Sequence, residues 1–280
     1  MRDRDKRLEM DANLIETIMT EKTKLHVGVL FGGRSGEHEV SLMSARSVLS
    51  ALDPEKYAIT QIGITHEGTW LSGEDVLEAM LAGKADDLTP ITLMPDPSRT
   101  GLYTFVDAQC EYFAEIDVFF PVLHGTFGED GTLQGLFEMA EVAYVGAGVL
   151  GAAVGMDKAI FKDVMKANHI PVIDGFVVSR SQLQTRIETI LDEAAEMAPY
   201  PLFVKPANLG SSVGVTKCRS RSDLYEGLLE AARFDRRVLI ERGINAREIE
   251  ISVLGNDDPQ ASIPGEIQPE ADFYSYNAKS

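Results

Sequence analysis

Positive charge is scarce in this chain. Its 26 lysines and arginines stand against 44 aspartates and glutamates, for a formal net charge of −18. A surface of that sign repels phosphate polymers and gives no electrostatic basis for general nucleic-acid binding. It would repel a nucleotide as well, so any phosphate site has to be a local cluster of cations and backbone amides. Cysteine is also rare: Cys110 and Cys218 are the only two and lie far apart. That excludes a disulfide-stapled scaffold and points to free thiols in a reducing compartment. No stretch reaches the roughly 18 apolar residues needed to span a bilayer. The charged start, Met1 to Lys24, has no apolar run of signal-peptide type. A cytoplasmic protein without membrane or nucleic-acid partners is the expectation.

What is present is the mix of an ordinary globular protein, 44% hydrophobic and 25% charged. At roughly 150 residues per domain, 280 residues predict two domains, or two and a fragment. Residues 1–24 read as an extension or tag. Leu25 to Phe31 is an apolar run ending in Gly32-Gly33, and Glu37 to Leu52 follows with Leu42, Ala45, Val48, Leu49 and Leu52 at helical spacing. Tyr57 to Ile64 is a second strand candidate; Ile116 to Leu123 is apolar throughout much of its length, as in a strand buried on both faces. Gly131 to Glu141 and Ala147 to Val154 read as short helices. Strands alternating with helices predict a parallel-sheet α/β domain over 25–150.

After about residue 150 the pattern changes. Asp157 can cap a helix through Lys166, and Leu183, Ile187, Ile190, Leu191 and Ala194 form the apolar stripe of another. Strands are predicted at Leu202–Lys205, Val213–Cys218, Val238–Glu241 and Glu248–Leu254, with a helix near Asp223 to Phe234. Short strands joined by glycine loops suggest an antiparallel sheet, so this half is α+β.

Four segments carry chemistry. Gly210-Ser211-Ser212-Val213-Gly214 follows Val204-Lys205-Pro206. Its glycines allow successive amides to face one anion, the serines add donors and Lys205 adds charge, although a tight hairpin with a surface lysine fits the same residues. Lys158 stands at the start of a predicted helix, where the dipole disfavours a cation. A bound anion would relieve the conflict, and so would a solvated lysine paired with Asp157. His124-Gly125-Thr126-Phe127-Gly128-Glu129-Asp130-Gly131 and Gly32-Gly33-Arg34-Ser35-Gly36-Glu37-His38-Glu39 both follow strands, where open α/β sheets collect ligands. The second of these lacks the Gly-x-Gly-x-x-Gly spacing of a dinucleotide fingerprint, and Glu37 would oppose a pyrophosphate; a carboxylate there suits an ammonium group. His26, His38, His66 and His124 offer no pair at metal-type spacing.

In order, Val29-Leu30-Phe31-Gly32-Gly33, Ser35-Gly36-Glu37-His38-Glu39-Val40-Ser41, Leu123-His124-Gly125, Gly128-Glu129-Asp130-Gly131-Thr132-Leu133-Gln134-Gly135, Met156-Asp157-Lys158, Val204-Lys205-Pro206, the 210–214 loop, Ile240-Glu241-Arg242 and Phe273-Tyr274 resemble D-alanine–D-alanine ligases of the ATP-grasp superfamily. The resemblance runs from about residue 24 to the end of the sequence. It implies an N-terminal substrate-binding domain over 25–150, a central ATP-grasp domain over 151–240 and the start of a C-terminal lobe over 241–280. It also implies ATP-dependent joining of two D-alanines through an acyl phosphate, for peptidoglycan synthesis, by a homodimer. Glu37 would bind the first ammonium, with His124 near the carboxylate and Glu129 supporting the loop. Ser211, with Ser212 beside it, would contact Glu37 and place the second substrate. Lys158, Lys205 and the Gly210 loop would hold the ATP phosphates. Glu241, Arg242 and Ile244 would line the adenine site near Phe203, and Glu248 would take the ribose hydroxyls.

Two departures accompany the resemblance. The family places a tyrosine after Ala-Lys, where this sequence has Ser280 after Lys279. That tyrosine closes a loop and supports second-substrate selection, so D-alanyl-D-lactate or D-alanyl-D-serine products stay open. The family's ligands for Mg2+ (or Mn2+) would lie beyond residue 280, which leaves no metal residue to assign. The expectations are an incomplete C-terminal lobe and a polypeptide inactive by itself, with a catalytically lost ATP-binding module as the alternative.

Overall fold

The computed structural model describes residues 24–210 and 213–268. The chain divides into two compact units, residues 1–150 and 151–280.

The first unit begins with β1 (Leu25–Gly32) and α1 (His38–Ala51), followed by β2 (Tyr57–Ile64), β3 (Trp70–Ser72) and α2 (Val76–Leu81). β4 (Thr89–Leu93), β5 (Leu102–Val106), β6 (Gln109–Ala114) and β7 (Val118–Pro121) complete a seven-stranded sheet, ordered β6-β5-β4-β3-β2-β1-β7. β2, β1 and β7 are parallel; β3 through β6 add antiparallel pairings. The parallel sheet expected from the sequence is therefore one end of a mixed sheet, with β7 at its edge. Its antiparallel extension left no readable period because β3 has three residues and β6 is largely exposed.

β1 explains the layering. Val27, Val29 and Phe31 pack toward Leu42 and Ala45 of α1, while Leu30 joins Ile62, Phe119, Leu133 and Phe137 on the opposite face. Alternating residues of one strand thus feed two cores, as a strand covered on both sides requires. α3 (Thr132–Met139) supplies the second cover, with the Phe137 ring stacked on Phe119 at 5.0 Å between centroids. β7 is shorter than the Ile116–Leu123 run. Val122 still donates to the Leu30 carbonyl at 2.7 Å, but Leu123 is buried beneath the following loop instead of extending the ladder.

α4 (Val149–Met156) leads to α5 (Lys158–Ala167), β8 (Gly175–Ser179) and α6 (Arg180–Met197). β9 (Leu202–Pro206), β10 (Thr216–Cys218), α7 (Arg221–Phe234) and β11 (Arg237–Arg242) follow. The second unit's main sheet is antiparallel, ordered β10-β9-β11-β8. Leu183, Ile190, Leu191 and Ala194 of α6 and Leu224, Leu228 and Ala231 of α7 bury against Val178, Leu202, Val204, Val238 and Ile240. A reciprocal capping box at Ser179 and Gln182 starts α6, and Ser220 caps α7. The strand expected over Val213–Cys218 contracts to β10, since Val213 N–H closes a turn onto the Gly210 carbonyl at 3.2 Å. Glu248–Leu254 divides into β12 (Glu248–Glu250) and β13 (Val253–Leu254), paired with β15 (Gly265–Ile267) and β14 (Gln260–Ala261) respectively. Between the pairs Ser262 Oγ accepts from Ser252 N–H at 3.0 Å, diverting a backbone donor from the ladder.

Candidate active site

In the first unit β1 and β7 are adjacent and parallel, and β1 connects onward to β2 on its other side. The strand order reverses between β1 and β7, and the crevice beyond their carboxyl ends is where such sheets bind ligands. Both glycine loops emerge there. Ser41 Oγ accepts from Gly32 N–H at 2.8 Å and donates to the Val122 carbonyl at 2.5 Å, joining the two strand ends. Ser35 Oγ donates to the His124 carbonyl at 2.7 Å and accepts from Glu37 N–H at 3.1 Å. These bonds bring Glu37 and His124, 87 positions apart, onto one scaffold.

Glu37 precedes α1 and is 6% exposed. Gly125 faces it with φ +71°, a backbone angle that calls for glycine, and a Cβ there would press on Glu37 Oε2. Gly125 N–H donates to Glu129 Oε2 at 2.7 Å; exposed Glu129 braces the loop at this point. The His124 ring is oriented by Ser44 Oγ, 2.9 Å from Nε2. His38 Nδ1 lies 2.8 Å from the Gly33 carbonyl, which can only accept, so this nitrogen carries the proton. A pocket of about 230 Å3 opens at the same strand ends, lined by Gly33, Arg34, Trp70, Leu123, His124 and Phe127 among others. Arg34 lies over the Phe127 ring at 4.5 Å. The arrangement offers a buried carboxylate for a small cation and an imidazole for an adjoining anion.

The second unit builds its site from charge. On β9, Phe203 and Lys205 share the sheet face turned away from α6 and α7, and Phe203 is in register with Glu241 of β11 and Lys217 of β10. Glu241 is 4% exposed, and its two oxygens each hold an ammonium: Oε1 pairs with Lys162 and Oε2 with Lys205, both at 2.5 Å. Burial pushes the Glu241 carboxyl up, but the Lys205 charge and the hydrogen bonds from Lys162 and Lys205 outweigh it and hold it below the usual value. Lys158 Nζ donates to the Leu209 carbonyl. Its pKa is depressed, first by burial and then by the charge of Lys205. The pairing of Lys158 with Asp157, one of the two expected reliefs of its conflict with the helix dipole, is not the arrangement found. Asp157 caps α5 by accepting from Ala159 and Ile160 N–H at 3.1 and 3.0 Å, and its other oxygen pairs with Arg237.

Lys158, Phe203, Lys205 and Glu241 are thus brought together. Arg242 turns aside to Asp174 at 3.6 Å, and Ile244 is 47% exposed. Glu248 opens β12, exposed and in register with Ile267; among the described residues no hydrogen bond or ion pair joins it to the lysine cluster. Gly210 is described, whereas Ser211, Ser212, Phe273, Tyr274 and Lys279 lie outside the described residues. Sequence reasoning overlooked Lys162. Its signal was the spacing of four from Lys158, which puts both ammoniums on one face of a helix.

Among the described residues no helix is long and apolar enough to cross a membrane, and no group of three or more His, Cys, Asp or Glu could hold a metal ion.

Comparisons with known proteins agree on one family. Family models described as "D-ala D-ala ligase N-terminus" and "D-ala D-ala ligase C-terminus" match residues 26–147 and 164–280. The D-alanine–D-alanine ligase of Natranaerobius thermophilus is 47% identical over 257 residues, covering 91% of this chain and 70% of that protein. That of Heliobacterium modesticaldum is 47% identical over 256 residues, with the same two coverages. Among solved structures, the VanG D-Ala:D-Ser ligase of Enterococcus faecalis superposes with a TM-score of 0.76 at 33% identity, covering 90% of this chain and 72% of that one. The D-alanine–D-alanine ligase of Coxiella burnetii gives 0.72 at 38% identity, over 88% of this chain and 69% of its own.

Proposed function

Since the chain belongs to the D-alanine–D-alanine ligase family, we propose that it serves ATP-dependent joining of two D-alanines, through an acyl phosphate, in peptidoglycan synthesis. The observation that carries the residue assignment is the Glu37–Gly125 contact: a buried carboxylate at the meeting of two strand ends, with glycine required opposite it. Glu37 receives the ammonium of the first D-alanine, because a buried carboxylate gains most from a cationic partner. His124, its ring set by Ser44, lies toward the substrate carboxylate. Glu129 keeps the intervening loop in shape through the Gly125 amide.

The nucleotide falls to the second unit. Lys158, Lys162 and Lys205 around the single carboxylate of Glu241 make a local excess of positive charge in a chain of net charge −18. That is the electrostatic condition a triphosphate site must meet. In this assignment Lys158 and Lys205 hold the phosphates with the Gly210 loop. Phe203 and Glu241 flank the adenine with Arg242 and Ile244 near its edge, and Glu248 takes the ribose. Ser211, Ser212 and Lys279 enter the same proposal on the sequence alone. A divalent metal, Mg2+ or Mn2+, would neutralise charge on the triphosphate. ATP dependence and two free thiols, Cys110 and Cys218, fit a cytoplasmic enzyme.

Phosphate release by the full-length protein with ATP, magnesium and D-alanine tests the reading, and absence of D-alanine-dependent release sinks it. The likeness to the VanG D-Ala:D-Ser ligase makes D-serine the second acceptor to assay, beside D-lactate, over a range of pH. A faster reaction with D-serine would reassign the second substrate without moving the first.

A further inference from the structure

Glu241 has two cations, and they are not equivalent. Lys162 is 15% exposed and anchored twice, to Glu241 Oε1 and to the Ile173 carbonyl at 2.7 Å, so its ammonium is fixed between α5 and the segment entering β8. Lys205 is 26% exposed and pairs with Glu241 Oε2, has the Phe203 ring 5.8 Å away, and feels the like charge of Lys158. An anion arriving at this face would draw Lys205 first, since it is the more exposed of the two cations and is anchored less. Glu241, 4% exposed, would then keep a single counter-ion. Gly175, in register with Glu241, leaves no slack: a Cβ there would come within 3.2 Å of Glu241 Cγ and collide with the Ile240 carbonyl.

We propose that Lys162 is the permanent counter-ion of Glu241, a positioning residue that holds this carboxylate in place for the nucleobase while Lys205 swings to the phosphates. Lys162 itself touches no part of the nucleotide. The inference rests on the assignment of this face to ATP. Other charges near Glu241 do not replace Lys162: Asp157 and Arg237 are paired with each other, Lys158 is turned to Leu209, Lys217 stands beyond Phe203 in the register, and Asp235 accepts from the Asn208 amide. Without Lys162, a departing Lys205 leaves a buried carboxylate uncompensated. It regains neutrality by taking a proton, and so loses acceptor strength toward an adenine amine.

The test is calorimetric binding of ADP and ATP to the full-length protein between pH 5 and 8. In Lys162→Met, nucleotide affinity is expected to fall about 10- to 100-fold, with the loss largest at low pH. Lys162→Arg should restore most of the affinity. In a Glu241→Gln background, the Lys162→Met substitution should add no further loss. A nucleotide-free readout accompanies it. Because the folded Glu241 value is depressed, its stabilisation is complete above the ordinary 4.5 and disappears as pH falls through the folded value. Lys162→Met should move that loss of Tm to higher pH. An affinity loss independent of pH, or one that persists undiminished beside Glu241→Gln, would reduce Lys162 to a structural residue and overturn the proposal. Failure of the unaltered protein to bind either nucleotide would instead strike the ATP assignment itself.

Discussion

The two units hold their candidate ligands by different physics. The first places one buried carboxylate at strand ends that Ser35 and Ser41 tie together by short neutral hydrogen bonds, beside a histidine ring set by Ser44 and with glycine backbone facing the carboxylate. The second stacks ammonium groups around one glutamate on a sheet face. A small zwitterion needs exact placement over a few ångströms, which hydrogen-bonded loops provide and which salt hardly affects. A triphosphate needs field strength, which an acidic chain obtains only by concentrating cations that are partly removed from water. Geometry should therefore dominate the response of the first unit to mutation, and charge that of the second.

The largest effect is expected from Glu37→Gln. Removing the charge that meets the substrate ammonium should lower kcat/KM for D-alanine by about 10^3-fold, some 4 kcal/mol. Nucleotide affinity measured by calorimetry should stay as it was, and a parallel fall in ATP binding would break the comparison. Lys205→Met comes next. Loss of a charge-assisted contact of about 2–3 kcal/mol should weaken ATP binding about 30- to 150-fold, more at low salt than at high salt. Salt-independent weakening would remove the electrostatic account of the second unit.

Gly125→Ala sharpens the geometric side. The added methyl meets Glu37 and forces a residue with a side chain into φ +71°, so about 1–3 kcal/mol of stability should be lost. In urea denaturation the midpoint should fall with m unchanged; an unaltered midpoint would show that the loop relaxes freely. Ser44→Ala is the smallest. Releasing the His124 ring should raise KM for D-alanine a few-fold, worth about 1 kcal/mol, without a change in ATP affinity. A larger effect on ATP than on D-alanine would mean that Ser44 serves something else.

The residues proposed to do chemistry were legible because their local setting is unusual. Glu37, His124, Lys158 and Lys205 stand beside glycine runs or at element starts where charged side chains are costly. Asp157 was readable as a cap and is one, through Ala159 and Ile160. Lys162 went unseen, since a lysine in mid-helix looks like a solvated residue until the fold sets it against Glu241. The antiparallel strands from Trp70 to Ala114 also went unseen, for β3 has only three residues and the exposed runs in β4, β5 and β6 break the alternation that marks a half-buried strand.

By itself the sequence determined the periodic elements, the caps, the shortage of positive charge and the order of the motif blocks, for each of these depends on neighbours a few residues apart. Tertiary structure alone decided that β1 lies between β2 and β7, that Ser35 bridges to His124, and that Glu241 is clasped by two lysines from different elements. Those contacts span 32 to 91 positions along the chain. Pairing over such separations is set by burial and register in the folded sheet, which no local pattern encodes.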